Sequence, residues 1–151
     1  MITKLVFRIS LIAFGLVLFM SCGSSRNVST TDPGGNRLGV QMQVTPERNG
    51  GAPETLQLMV RNNTQEIIQF GAGYSIERRA GNGWVGVDLG NFAVIAIMYM
   101  LQPGESGEYA INLFTDRVTY PEGEYRVVKQ IAVGERDMQA YYANFRIIEP
   151  R

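Results

Sequence analysis

Hydrophobic and polar residues alternate with a period of two along most of the chain after residue 38. This period places successive side chains on opposite faces of a β-strand, whereas an amphipathic helix repeats every 3.6 residues. No stretch of ten or more residues carries a helical stripe, so the pattern predicts an all-β fold. The clearest strand faces are Leu56, Leu58 and Val60; Tyr109, Ile111 and Leu113; Tyr125, Val127, Lys129 and Ile131; and Ala143, Phe145 and Ile147.

Residues that favour turns separate these runs and divide the chain into short strands. Clusters of Gly, Pro and Asn stand at 49–51, 62–63, 81–83, 103–104 and 121–123, and such residues fit turn geometries. Their spacing predicts about seven to nine strands in an antiparallel β-sandwich. Residues 74–79 and 84–89 are expected to form a hairpin whose turn is longer than two residues.

One tyrosine stands where Greek-key sandwiches often place a structural hydroxyl. Tyr125 follows Pro121 and Gly123 at the start of a strongly alternating strand. Its hydroxyl can return to the backbone of the preceding loop, as in a tyrosine corner. A simple buried aromatic residue is the alternative for this position.

The first 37 residues have a different pattern. Lys4 and Arg8 precede an apolar run at 9–20, which has the length of a signal sequence and is short for a transmembrane helix. Ser21 and the only cysteine, Cys22, come next, and residues 23–37 are rich in Ser, Thr, Gly and Asn. We expect a signal peptide at 1–21, a flexible linker at 22–37 and a folded domain at 38–151.

The apolar run followed by Ser21 and Cys22 resembles a bacterial lipoprotein signal. The resemblance implies that the thiol of Cys22 carries diacylglycerol and that the signal peptide is cleaved before it. Two or three acyl chains hold a protein on a membrane effectively for good, whereas one holds it reversibly. An ordinary secretory signal with an incidental cysteine is the alternative. The expected location is the outer membrane, facing the periplasm.

Composition narrows the chemistry further. Basic and acidic residues balance at 14 each, and histidine is absent. A balanced charge gives little support to nucleic-acid binding. Without histidine, and with one cysteine, there is no His-based triad, no disulfide within the chain and no thiolate zinc site. No metal site, cofactor or catalytic residue is predicted.

Five segments carry a resemblance at the level of the folded domain: LQLMVRNNT (56–64), YSIERRAGNGW (74–84), LQPGES (101–106), PEGEYRVVKQI (121–131) and ANFRI (143–147). In this order they resemble a bacterial immunoglobulin-like domain family. The resemblance implies an immunoglobulin-like β-sandwich without catalytic chemistry. A weaker resemblance to protease inhibitors of similar architecture implies the alternative function, inhibition of a protease in the cell envelope.

Residues 94–101 are apolar on both faces, unlike a strand with one wet face. One interpretation is a central strand or a cover over one end of the core. The other is a partner-binding patch in which Met98, Tyr99 and Met100 contact an envelope protein or glycan. The function predicted overall is therefore binding or structural support by a lipid-anchored, non-enzymatic module.

Several polar and aromatic residues have two interpretations each. Tyr141 and Tyr142 are neighbours, so one is expected in the core while the other is either an ordinary strand residue or a stacking surface. The sequon at 62–64 is expected to make a turn and not to carry a glycan. On a solvated sheet face, cross-strand pairs are expected between Glu77, Arg78 and Arg79 and the residues Glu124, Arg126 and Lys129.

Overall fold

The structure is a computed structural model that describes residues 39–149. This part of the chain is all-β, as predicted, and contains ten strands. The count exceeds the predicted seven to nine because four of the strands have only three or four residues. The strands are β1 (Val40–Thr45), β2 (Arg48–Gly50), β3 (Thr55–Asn62), β4 (Ile68–Gly71), β5 (Ser75–Ala80), β6 (Gly83–Gly86), β7 (Met98–Leu101), β8 (Ser106–Asn112), β9 (Gly123–Val133) and β10 (Gln139–Ile148).

The strands form two sheets that face each other across one core. The smaller sheet has the order β1-β3-β8. The larger sheet has the order β2-β10-β9-β4-β7, and β5 also pairs with β9 and carries β6. All pairs are antiparallel except that β2 runs parallel to β10. The predicted β-sandwich is therefore confirmed, with one parallel pair that the sequence did not indicate.

The core is built from the alternating residues that mark the strand faces. Leu56, Leu58 and Val60 of β3 are fully buried. In the same core, β9 contributes Tyr125, Val127 and Ile131, and β10 contributes Ala143, Phe145 and Ile147. Burying each aliphatic side chain of this size stabilises the fold by about 1.5–3 kcal/mol. Hydrophobic burial along strands of period two is thus what selects the sandwich.

The longest strand, β9, pairs with two different strands along the same side. Residues 125–128 of β9 pair with β5, and residues 131–133 pair with β4. Between these two segments, the connection formed by residues 72–74 leaves the sheet. The sheet is therefore interrupted beside the middle of β9, where Lys129 lies.

β5 and β6 form the predicted hairpin, but its turn is shorter than expected. Ala80 pairs with Gly83, which leaves Gly81 and Asn82 as a two-residue loop. Gly81 has a φ of +57°, a conformation that two-residue hairpin loops require and glycine adopts easily. The prediction of a longer turn was wrong because both strands extend further towards the loop than the alternation showed.

The predicted tyrosine corner is present at the start of β9. The hydroxyl of Tyr125 donates a hydrogen bond of 2.6 Å to the carbonyl oxygen of Pro121. Its ring stacks on Phe145, with 5.5 Å between the ring centroids. Burial raises the pKa of Tyr125, so the hydroxyl stays protonated and available as a donor. The corner fixes the loop before β9 against the core.

Candidate functional site

Among residues 39–149, strand β7 forms an open edge of the larger sheet. It pairs with β4 on one side and is the last strand in the sheet order. Ala72 donates its backbone N–H to the carbonyl oxygen of Ile97, so the residues bonded to β4 are Ile97, Tyr99 and Leu101. The backbone groups of Met98 and Met100 consequently point away from β4, towards the open edge. An edge of this kind can accept a strand from a partner.

The side chains at this edge are apolar and exposed. Met98 and Met100 are 55% and 61% exposed on the outer face of the sheet, whereas Tyr99 turns inward and is half-buried. The preceding segment contributes Ile95, which is 71% exposed, together with the exposed Val94 and Ile97. The interpretation of residues 94–101 as a central strand or core cover is therefore wrong. Leu101 is the one residue of this run that is buried.

Tyr99 belongs to an aromatic cluster beneath the edge. Its ring centroid lies 5.7 Å from that of Phe70 and 4.7 Å from that of Tyr109. Phe70 and Tyr109 meet edge to face at 5.2 Å, an arrangement that the ring quadrupoles favour. The three rings link β4 and β7 of the larger sheet to β8 of the smaller one. The inward half of the edge strand is thus held firmly while its outward half is exposed.

A cleft of about 350 Å³ opens beside this cluster. Tyr99, Tyr109 and Glu108 line it, and Lys129 also contributes to its wall. Burial raises the pKa of Tyr109, and the neighbouring Tyr99 raises it further. The Tyr109 phenol therefore remains neutral near pH 7. The cleft offers hydroxyl groups and ring surfaces, which suit binding better than proton transfer.

Lys129 is the buried cation of the domain, at 2% exposure. Its ammonium lies 2.9 Å, 3.4 Å and 3.0 Å from the carbonyl oxygens of Gly71, Ala72 and Gly73. An ammonium has three donors, so these carbonyls use all of them. Burial lowers the pKa of Lys129 to about 8. Lys129 therefore binds the connection between β4 and β5, and the expectation that it joins a surface ion pair was wrong.

The sequon forms the predicted turn at the end of β3. Asn62 is fully buried, and its Nδ2 donates to the carbonyl oxygens of Glu66 and Leu101, at 2.8 Å and 2.9 Å. Its Oδ1 accepts hydrogen bonds from the backbone N–H and the hydroxyl of Thr64. The bond to Leu101 attaches the end of β7 to the smaller sheet. The amide is fully engaged and inaccessible to a glycan-transferring enzyme.

An arginine lies between two aromatic rings on the outer face of the larger sheet. The guanidinium carbon of Arg126 is 4.4 Å from the ring centroid of Trp84 and 4.7 Å from that of Tyr142. Glu77 pairs with Arg126 at 2.6 Å, which confirms one of the predicted cross-strand pairs. Tyr141 is buried and Tyr142 half-buried, as their opposite strand faces require. The position of Trp84 and Tyr142 around Arg126 was not predictable from the sequence, because β6 and β10 are joined only through β5 and β9.

Cys22 and the boundaries at residues 21 and 37 lie outside the described residues, so they stay predictions. Within residues 39–149, no group of three metal-ligating side chains comes together. The same stretch contains no helix that is long and apolar enough to cross a membrane.

The sequence profile of one domain family covers most of the chain. The profile of bacterial Ig-like domains matches residues 36–146. The chain belongs to the bacterial Ig-like domain family. Ig-like domains of this family are generally non-catalytic and suggest a binding or structural module. This membership agrees with the resemblance found in the sequence and with the all-β sandwich of the structure.

Three of the solved structures that match are those of much larger enzymes. A mutant β-glucosidase from Listeria innocua in complex with laminaribiose is 13% identical, with 74% of this chain and 16% of that chain covered and a TM-score of 0.32. A second structure, the β-glucosidase from Listeria innocua in complex with gluconolactone, is 11% identical, with 74% of this chain and 16% of that chain covered and a TM-score of 0.32. A β-D-glucoside glucohydrolase from Trichoderma reesei is 13% identical, with 72% of this chain and 18% of that chain covered and a TM-score of 0.27. The chain spans less than a fifth of these proteins, and such TM-scores carry no functional argument. No curated protein sequence matches the chain.

Proposed function

We propose that this chain is a lipid-anchored protein of the bacterial envelope whose Ig-like domain binds another envelope protein through strand β7. The observation that carries the proposal is the exposure of Met98 and Met100 on an unpaired edge strand. Exposed apolar side chains beside free backbone donors and acceptors are the combination that strand addition by a partner uses.

The side chains suit a protein partner. Methionine is flexible and polarisable, so Met98 and Met100 can adapt to different apolar contacts. Ile95 and Ile97 extend the apolar surface along the segment before β7. The aromatic cluster around Tyr99 fixes the backbone of the edge, which lowers the entropic cost of binding. A rigid backbone with adaptable side chains favours a segment of protein over a small molecule.

The anchor part of the proposal is supported by the amino-terminal sequence. In this proposal the thiol of Cys22 carries the lipid, residues 1–21 are removed, and residues 22–37 link the lipid to the domain. A coil of this length spans roughly 20 Å, enough to lift a small domain off the lipid headgroups. The proposed location is the periplasmic side of the outer membrane.

Metabolic labelling with an alkyne analogue of palmitate tests the anchor. The wild-type chain is expected to take up the label and to fractionate with membranes. The Cys22→Ser variant is expected to lose the label. Equal labelling of both chains would refute the assignment of Cys22, and an unlabelled, freely soluble wild type would refute the anchor.

Photo-crosslinking in cells tests the edge. A benzophenone amino acid at Met100 is expected to capture a defined protein, while the same group at Met138 serves as the control. Met138 is also an exposed methionine but lies in the turn between β9 and β10. The Met100→Glu substitution is expected to abolish capture from a neighbouring probe at Met98. Capture that is equal from Met100 and Met138, or unaffected by Met100→Glu, would contradict the proposed interface.

A further inference from the structure

The two outer faces of the sandwich differ in chemistry. On the smaller sheet the outward side chains are mostly uncharged, with one arginine and one glutamate. On β2, β5, β9 and β10 of the larger sheet, four outward arginines stand against two glutamates. These residues are Arg48, Arg79, Arg126 and Arg146 with Glu77 and Glu124. The outer face of the larger sheet is therefore positive and carries the exposed aromatic rings.

Arg126 organises the aromatic part of this face. Its guanidinium contacts the rings of Trp84 and Tyr142 and is fixed by Glu77, whose carboxylate accepts from both Nε and Nη2 at 2.6 Å. The Arg126 and Glu77 side chains are only 20% and 25% exposed, so the pair is well ordered. Gly86 pairs with Glu77 and leaves no side chain beside it. Two half-buried rings are thus held beside Arg126, and the guanidinium carbon of Arg79 lies 5.4 Å from the ring centroid of Trp84.

The other three arginines of this face, Arg48, Arg79 and Arg146, share one acidic neighbour, Glu124, which is the cross-strand partner of Arg146. Within residues 39–149, the ion pairs involve only Arg126 and Arg136. Arg48 and Arg146 are direct neighbours on the parallel strands β2 and β10, and both are exposed. Like charges placed opposite each other on a sheet destabilise it unless an anion lies between them. Three exposed arginines beside one glutamate leave an excess of positive charge on this part of the face, which points to an external anion.

We propose that this face, comprising Arg48, Arg79, Trp84, Tyr142 and Arg146 around Arg126, binds an anionic polysaccharide. Sugar rings present C–H groups that stack on Trp and Tyr, and the arginines pair with carboxylates along the polymer. Neighbouring strands are about 4.8 Å apart, so Arg146 and Arg79, two strands apart, are separated by about 10 Å. That spacing is close to the length of a disaccharide unit.

The position of this face favours a polymer over the membrane surface. The predicted linker joins the sandwich at Gly39, next to the paired residues Val40 and Asn62. That end also carries the turn that follows β9 at Val133. Arg146 pairs with Glu124 near the opposite end of β9. Arg48, Arg79 and Arg146 thus lie at the end of the sheet opposite the one at which an acyl anchor would hold the domain. This inference does not depend on the β7 interface of the proposed function.

The only tryptophan of the chain is Trp84, so its fluorescence reports directly on the face. We would titrate the full chain, purified in detergent, with polygalacturonate and, as a neutral probe, with dextran. Polygalacturonate is expected to change the Trp84 emission in a saturable way that disappears between about 0.05 and about 0.5 M salt. Dextran is expected to leave the emission unchanged. No saturable change with polygalacturonate, or an equal change with dextran, would overturn the proposal.

Variants locate the binding. The double change Arg79→Gln with Arg146→Gln is expected to weaken polygalacturonate binding about tenfold or more, because two charged contacts are lost. Tyr142→Ala keeps the tryptophan signal and is expected to weaken binding about fivefold. Arg61→Gln, on the outer face of the smaller sheet, is the control for loss of a surface charge elsewhere and is expected to change affinity less than twofold. Equal weakening by Arg61→Gln would overturn the proposal, since it would show attraction by overall charge alone.

A second measurement tests whether the ligand of this face is anionic lipid and not a polysaccharide. The full chain is reconstituted in vesicles of phosphatidylcholine alone and in vesicles that also contain phosphatidylglycerol. The Trp84 emission is expected to be the same in both. A blue shift that requires phosphatidylglycerol and is abolished by Arg79→Gln with Arg146→Gln would assign the face to anionic lipid and overturn the polysaccharide.

Discussion

The ring of Tyr109 covers Gly107, two residues before it on the same face of β8. A Cβ atom at position 107 would lie 2.3 Å from the Tyr109 hydroxyl oxygen and 2.8 Å from the adjacent ring carbon. Real Cβ atoms do not approach other atoms so closely. The absence of a side chain at Gly107 therefore lets Tyr109 lie against the edge cluster with Tyr99 and Phe70.

The Gly107→Ala substitution is expected to displace the Tyr109 ring and to lower the free energy of unfolding by about 1–3 kcal/mol. Gly86→Ala is the control, because a Cβ at Gly86 meets no atom within 4 Å. Its stability is expected to change by less than about 0.5 kcal/mol. Urea unfolding followed by circular dichroism measures both. Similar values for the two variants would show that Tyr109 moves without cost.

Removal of the Lys129 ammonium is expected to weaken the connection between β4 and β5. In the Lys129→Met variant, the carbonyls of Gly71, Ala72 and Gly73 lose their donors. Leaving buried acceptors unpaired costs about 1–3 kcal/mol, so we expect a loss of this size at pH 7. Urea unfolding of wild type and variant at the same pH gives the difference. A variant as stable as wild type would show that water replaces the ammonium.

The same lysine predicts a pH dependence of stability. Its pKa is about 8 in the folded state, against about 10.4 for an unfolded lysine. Below about pH 8 both states are protonated, and the folded state bears the full cost of burying the charge. Between about pH 8 and about pH 10 only the unfolded state keeps the proton, so the free energy of unfolding should rise relative to Lys129→Met. Parallel pH profiles for the two proteins would contradict the lowered pKa.

The tyrosine corner is expected to contribute through its hydrogen bond. Tyr125→Phe removes the donor to Pro121 and should lower the free energy of unfolding by about 1 kcal/mol. Tyr142→Phe is the matched control, since Tyr142 contacts Arg126 through its ring. Thermal unfolding should show a lower midpoint for Tyr125→Phe only. Equal midpoints for the two variants would mean that the corner adds nothing to stability.

Asn62 is expected to be more important to the fold than its neighbour Asn63. Asn62→Ala removes hydrogen bonds to Glu66, Leu101 and Thr64, and a loss of about 2–4 kcal/mol is expected. Asn63→Ala removes one exposed hydrogen bond from Arg61 and should cost less than about 0.5 kcal/mol. Because Asn62 binds Leu101, hydrogen exchange at β7 should also accelerate in Asn62→Ala. Unchanged exchange there would disprove the link between this turn and the edge strand.

The strand faces were predictable because each requires only neighbours in sequence. Alternation predicts that Leu56, Leu58 and Val60 are buried, and the turn before Tyr125 predicts its hydrogen bond to the preceding loop. The role of Lys129 was not predictable. Alternation placed it on the core face, but its carbonyl partners lie more than fifty residues away and belong to a connection without a pattern.

Edge position was equally hidden in the sequence. An apolar run such as 94–101 looks the same in a central strand and at an exposed edge, because burial depends on which strands become neighbours. The outer face around Arg126 also depends on which strands become neighbours. Trp84 lies beside Arg126 only because β6 pairs with β5 and β5 pairs with β9. Local pattern defined the strands, whereas long-range pairing created both candidate surfaces.

The interruption beside β9 divides one half of the larger sheet into two pairs of strands. One pair, β4 with β7, carries the exposed Met98 and Met100, and the other pair, β5 with β6, carries Trp84 and Arg79. Two segments of the chain join these pairs: residues 72–74, which Lys129 holds, and residues 87–97, which run from β6 to β7. Displacement of one pair of strands would therefore reach the other through β9 and through both connections, so we expect occupation of either proposed surface to change the mobility of the other.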